Sequence, residues 1–319
     1  MRRRELIAGG LAAAPALLGG RAFAARSGGP VALVTADQEA HVAVVALGGG
    51  RVRRRIATRA DPRSIEAGAR GPAVVGHSGE GAVSLIDRSE LRVRRVLGGF
   101  QTPRYTAIAP DARLAYVTDG GTGELAVLDL VRGRVLRRVE VGAAARHLGL
   151  SPDGRTLWIA LGSTAATIVV VSLADPEHPR VTRRIAPPFG VHDVAFSPSG
   201  RRVWVTAGRE RRLAVYTASG ERPLRVLDAA DAPQHVSFDH ARAFVTSGDG
   251  RSLRVHELSD GRVRRDARVP LGSYNVLRRA GVVVTPSLAL GTLTILDPAG
   301  RELRRVPVAR AAHDVTILG

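Results

Sequence analysis

The chain has 319 residues, 45% apolar and 24% charged, with a formal net charge of +18, enough to bury one large core. It contains no cysteine, which excludes a disulfide framework, a zinc ribbon, an iron–sulfur cluster, a covalently attached c-type haem and a cysteine nucleophile. All 47 basic residues are arginine, so sites that need a lysine (the P-loop, a Schiff base, a protein-kinase centre) are excluded too.

In chain order the first feature is a leader. Arg2, Arg3 and Arg4 precede a Leu/Ala/Gly run from Leu6 to Gly20, too short to span a bilayer stably. Ala22-Phe23-Ala24 then supplies a small-residue cleavage site. Residues 1–24 therefore read as a signal peptide, with Arg3-Arg4-Glu5-Leu6-Ile7 arranged as in twin-arginine export signals. Residues 25–29 are a short linker, and 30–319 are expected to form one domain. The expected location is periplasmic or secreted, with no transmembrane segment in the mature chain.

From residue 31 onward one pattern repeats. A short apolar strand runs into a turn, as in Leu148-Gly149-Leu150-Ser151-Pro152-Asp153-Gly154-Arg155 and Val194-Ala195-Phe196-Ser197-Pro198-Ser199-Gly200-Arg201. A second strand follows, such as Ala115-Tyr116-Val117-Thr118, Leu157-Trp158-Ile159-Ala160 and Val203-Trp204-Val205-Thr206. The third often ends in Asp (Asp87, Asp129, Asp297), and the fourth is rich in Arg and Val, as in Val52-Arg53-Arg54-Arg55-Ile56. First strands begin at Arg63, Arg104, Arg146, His192, Gln234, Tyr274 and His313, spaced 39 to 46 residues apart. Four strands per ~40 residues is the period of a β-propeller blade, so the expected fold is an all-β, seven-bladed propeller of four-stranded antiparallel blades. Residues 31–57 lack a first strand and residues 313–318 are a first strand with nothing after it, so the C-terminal strand is expected to complete the N-terminal blade.

Ala115-Tyr116-Val117-Thr118-Asp119 with Val127-Leu128-Asp129 resembles the YVTN-type β-propeller repeat, in which Tyr-Val-Thr-Asn is followed by Val-Ile-Asp. The resemblance covers all seven units, most clearly the third to fifth, with Asp119 and Ala207 standing where the motif has Asn. No Trp-Asp dipeptide closes a third strand, as a WD40 protein would have. The resemblance implies an exported propeller, in a family whose members include binding proteins and lactonase-like enzymes.

About half of the arginines fall on fourth strands, among them Arg54, Arg94, Arg95, Arg138, Arg183, Arg265 and Arg305. The fourth strand is a blade's outer edge, where charge blocks edge-to-edge pairing. The alternative is a basic surface for nucleic acid or envelope polymers, which the scarcity of aromatics for base stacking disfavours.

Histidines mark one rim. His147, His192, His235 and His313 all begin first strands, which line the central channel; His77 and His41 map to the same rim and His178, His240 and His256 to the other. Beside the four stand Arg63, Arg104, Arg146, Tyr105, Asp193, Tyr274, Asn275 and Asp314. Together they are the candidate ligand-binding set at the channel mouth, with His147, His192, His235 and His313 as candidate ligands of a divalent metal. His192-Asp193 recurs as His313-Asp314; neighbours on a regular strand point to opposite faces, so chelation would have to combine residues from different blades. Three arginines at one mouth favour a small anion over a bare cation, while polar residues also collect at any wet strand end. There is no G-x-S-x-G and no H-E-x-x-H. The function expected is therefore binding of a small anionic ligand or a protein partner by a monomer. The alternatives are a lactonase-like hydrolase or metal-dependent lyase at the same rim, and an electrostatic polymer binder.

Overall fold

Short runs of Val, Ile, Leu and Thr, punctuated by Gly, Pro and Asp turns, leave the chain no way to build helices, and none occurs among the described residues of the computed structural model, 29–319. The leader and the first residues of the linker lie outside them. The strands form seven four-stranded antiparallel sheets, each built from consecutive strands except the first. There, Ala312–Leu318 pairs antiparallel with Val31–Ala36, from Val31↔Leu318 to Ala36↔Ala312, closing the ring as the repeat register requires.

Second and third strands are buried on both faces, because each sheet is stacked between two others. Leu114–Asp119 is buried at every position. The apolar clusters accordingly lie between blades: Leu114, Tyr116, Leu125 and Val127 of the third pack against Leu157, Ile159, Val169 and Val171 of the fourth. A second cluster joins the last blade to the first through Val284, Ile295, Val315, Ile317 and Val34. Tyr116, Trp158, Trp204 and Phe244 are at most 1% exposed, so these rings serve the core and offer no stacking platform to nucleic acid.

The motif residues make turns. Asp87 and Asp129, ending third strands, each accept two backbone N–H bonds through Oδ1, from Ser89 and Glu90 and from Val131 and Arg132. Asp119, in the Asn position of its repeat, accepts from the N–H of Gln101 and Thr102 at 2.8 and 2.7 Å and so ties down the chain entering its own blade.

The outer arginines do more than block pairing. Arg54, Arg183, Arg225 and Arg265 donate to the carbonyls of Glu90, Ser219, Ser259 and Gly300, each in the turn before the fourth strand of the following blade. Arg94 reaches Leu130 in the same way. A guanidinium offers five N–H donors on a long apolar stem, which suits a clasp between neighbouring sheets.

Candidate functional site

The inner strands are irregular where the candidate residues sit. In the fifth blade Val191 pairs with Ala207 but Val194 with Val205, so three steps on the inner strand face two on its partner. The same extra residue occurs at Arg104-Tyr105, Arg146-His147 and His313-Asp314. These are β-bulges, which break the alternation of side chains and re-aim two neighbours. The expectation from a regular strand, that His192 and Asp193 point to opposite faces, is therefore corrected. His192 packs against the His235 ring at 5.4 Å between centroids, and Asp193 Oδ2 lies 3.3 Å from Nδ1 of that same histidine.

Buried threonines of the second strands hold the bulges. The Thr206 hydroxyl accepts from Asp193 N–H at 3.0 Å and donates to the Gln234 carbonyl of the next blade at 2.6 Å. Thr118 accepts from Tyr105 N–H and donates to the Arg146 carbonyl, and Thr246 donates to the Tyr274 carbonyl. The Thr of the repeat motif is thus a fastener between adjacent first strands.

The bulges produce two tiers. Arg63, Arg146, His192, Gln234, Tyr274 and His313, the first members of their pairs, line a mouth cavity of about 200 Å³. Second members, including Asp193, Asn275 and Asp314, line a deeper cavity of about 270 Å³. Tyr105 and His235 border both and form the partition between them. His147, 1% exposed, lies within this partition, its ring centroid 4.2 Å from Tyr105 and 4.3 Å from His192. Arg104 stands against Gly120, close enough that a Cβ there would lie 3.3 Å from its Cγ.

The aspartates of the two His-Asp pairs join blades. Asp193 accepts from Val194 N–H at 2.9 Å and from Val236 N–H of the next blade at 3.3 Å. Asp314 does the same with Val315 and Ile65, at 2.8 and 2.9 Å. Asn275 donates to the His313 carbonyl at 2.7 Å, and the Tyr274 hydroxyl to Asp249 at 2.8 Å. His77, His41 and His256 are not brought to the mouth: His77 donates to Ala60 O and accepts from Ser84, while His256 donates to Gly261 O.

Burial, then neighbouring cationic groups, sets the charges. Desolvation and the nearby His235 bring His192 down to about 3. Desolvation and Arg63 do the same for His313, and His147 is held well below its usual range by burial and by His192 and His235. These imidazoles are neutral at neutral pH. Burial works to raise Asp193, but His235, His192 and the Val194 N–H together outweigh it and hold the carboxyl below its usual value. Burial raises Asp314 to about 6, and burial with the Asp314 charge raises Glu66, farther along the channel, to about 7. Asp193 orients His235, whose other nitrogen stands 3.5 Å from the Tyr105 hydroxyl, at the limit of a hydrogen bond. Arg63 is neutralised by Asp37 at 2.8 Å. Among the described residues Arg104 and Arg146 have no carboxylate partner, and Arg146 Nε is buried without a hydrogen bond.

The sequence places most of these residues at one rim but does not disclose the bulges, nor that Gln234 and Asp249 join the mouth lining while Arg104 does not. The signal was present in Arg-Tyr, Arg-His, His-Asp, Gln-His and Tyr-Asn, two successive polar residues where a regular strand would alternate with apolar ones.

No protein-family model matches the chain, and no curated protein matches it. Solved structures do. A functionally unknown protein from Desulfotomaculum acetoxidans superposes with a TM-score of 0.80 at 13% identity, over 90% of this chain and 98% of that one. A proposed 6-phosphogluconolactonase from Bacteroides fragilis gives 0.74 at 10% identity, over 91% and 98%. Kuenenia stuttgartiensis hydrazine synthase gives 0.71 at 18% identity, over 82% and 90%. At these identities the likeness is one of fold: the chain is a seven-bladed, all-β propeller.

Proposed function

We propose that this is an exported propeller of the YVTN-repeat type, and that it binds a small anion at the mouth of its central channel. The observation that carries the reading is the state of Arg104 and Arg146. Neither has a carboxylate partner among the described residues; Arg146 lines the mouth cavity and has a buried Nε without a hydrogen bond, while Arg104 stands beside it against Gly120. Burial, then the charges of Arg146 and Arg63, lowers the Arg104 pKa from its usual value. A guanidinium stays protonated under such pressure, so an anion would relieve the repulsion and supply the missing acceptors. The neutral histidines beside them add N–H donors, and Tyr274 and Gln234 add polar groups at the rim. A cavity of about 200 Å³ suits a phosphate, a sulfate or a short carboxylate.

The outer arginines support this assignment by elimination. Those that clasp neighbouring blades already have carbonyl acceptors, whereas the mouth pair does not. Export rests on the leader of residues 1–24 and places the site in the periplasm or outside the cell. Calorimetric titration of inorganic phosphate, on wild type and on Arg104→Ala/Arg146→Ala, tests the reading.

A further inference from the structure

We propose that His147, His192 and His235 form a three-imidazole site for one divalent transition-metal ion of the zinc class, with its open position toward the mouth cavity. The inference goes beyond the anion reading and stands without it, since it needs the imidazoles and not the arginines.

The geometry comes first. One ring nitrogen from each histidine can be chosen so that all three lie within 4.8 Å of one another. The rings are 4.3, 4.9 and 5.4 Å apart between centroids. Metal–nitrogen bonds of about 2.0–2.1 Å would bring those nitrogens to roughly 3.3 Å from one another. Small ring rotations close the difference. The ligands come from the starts of the first strands of three successive blades, where Thr206 fastens one strand to the next.

The outer partners come second. A histidine that binds a metal through one nitrogen usually gives its other N–H to a carboxylate or a backbone carbonyl, which fixes ring and tautomer. Asp193 takes that place for His235 at 3.3 Å, and the Ser163 carbonyl takes it for His192 at 3.1 Å. Both contacts engage Nδ1 and leave Nε2 as the ligand atom. The 3.5 Å approach of Tyr105 to His235 Nε2 is at the limit of a hydrogen bond and does not occupy it.

His147 is left without polar partners among the described residues. Both of its ring nitrogens are buried and neither has a hydrogen-bond partner. An imidazole always carries a lone pair or an N–H to satisfy, and leaving these unpaired in the interior is costly. A metal bond satisfies one and gives the residue a reason to be where it is.

The donor set selects the ion. Three imidazole nitrogens suit zinc, copper or nickel and do not suit magnesium or calcium, which prefer oxygen. Three protein ligands leave a fourth position free, the pattern of sites that bind a further ligand. Because His192 and His235 border the mouth cavity, that position faces the arginines. Arg146 beside the site repels a cation; the Asp193 carboxyl group, 3.3 Å behind His235, is placed to offset it.

The test uses the full chain, prepared without a histidine tag, stripped with a chelator and titrated with Zn²⁺ and then Co²⁺. The expected result is one equivalent per chain, with the visible absorption of low-coordinate, nitrogen-ligated Co²⁺. His192→Ala and His147→Ala should each weaken binding at least ~100-fold, and Asp193→Asn ~10–100-fold. His178→Ala, on the opposite rim, should change nothing. Circular dichroism identifies any variant that fails to fold; wild-type stoichiometry and the Co²⁺ spectrum carry the test without it. Binding below one equivalent, or His192→Ala affinity equal to wild type, overturns the proposal. Arg104→Ala/Arg146→Ala should not weaken Zn²⁺ binding even where it abolishes phosphate binding, so the two readings fail separately.

Discussion

Replacing Thr206 by Val removes one hydroxyl and preserves the size of the side chain. Thr206 is fully buried, and its hydroxyl serves Asp193 N–H at 3.0 Å and the Gln234 carbonyl at 2.6 Å. Both groups lose their partner in Thr206→Val, and neither can reach bulk water. At about 1–3 kcal/mol per buried group left unsatisfied, partly offset by the more favourable burial of a methyl, the net loss should be about 2–3 kcal/mol. In a chain of this size that lowers the melting temperature by roughly 4–10 °C. Thr206→Ser keeps both hydrogen bonds and loses one methyl, so it should cost only about 1 kcal/mol. Thr294 supplies the contrast: it is also fully buried, but its hydroxyl has no partner. Thr294→Val should be neutral or stabilising. Urea unfolding followed by circular dichroism ranks the three. Thr206→Val as stable as Thr294→Val would refute the claim that the motif threonines hold the bulges.

Two further outcomes follow from the fold and the channel. Deleting Ala312–Leu318 removes the inner strand of the first blade together with the buried Val315, Ile317 and Leu318. At about 1.5–3 kcal/mol per side chain the loss rivals the whole stability of a domain, so the truncated protein should aggregate; a soluble product with unchanged melting would contradict ring closure. Glu66 has a folded-state pKa raised to about 7 by burial and by Asp314, with Arg279 opposing. The folded state therefore holds the extra proton: the carboxyl costs nothing below about pH 4.5, and its penalty grows as pH rises through 7. Glu66→Gln should be more stable than wild type at pH 8, by about 1–2 kcal/mol after screening by channel water, and equal to it at pH 4. An advantage that persisted unchanged at pH 4 would show that the carboxylate charge is not the cause.

The blade count, the strand order and the C-terminal closure could be read from the sequence because turn chemistry and strand alternation are local. Ser151-Pro152-Asp153-Gly154 and the terminal Asp129 announce turns whatever lies around them. The site was legible as a group of residues, since His192 and His313 fall at one register position of the repeat and His147 and His235 at the next. Its geometry was not, because a bulge is decided by pairing between strands. Asp193 alone does not disclose that it will meet His235, which comes from the next blade. The outer arginines were likewise legible as an edge device but not as clasps, which depend on how far Arg54 or Arg183 lies from the neighbouring turn.

The proposed anion site at the mouth of the channel stands on Arg146 and its neighbour Arg104. Isothermal titration of inorganic phosphate into the metal-free protein at low ionic strength tests it most directly. One site per chain is expected, weakened as salt is added and lost in Arg104→Ala/Arg146→Ala, while removal of an outer-edge arginine (Arg305→Ala) leaves it unchanged. Phosphate binding that survives the double substitution, or none to wild type, would contradict it.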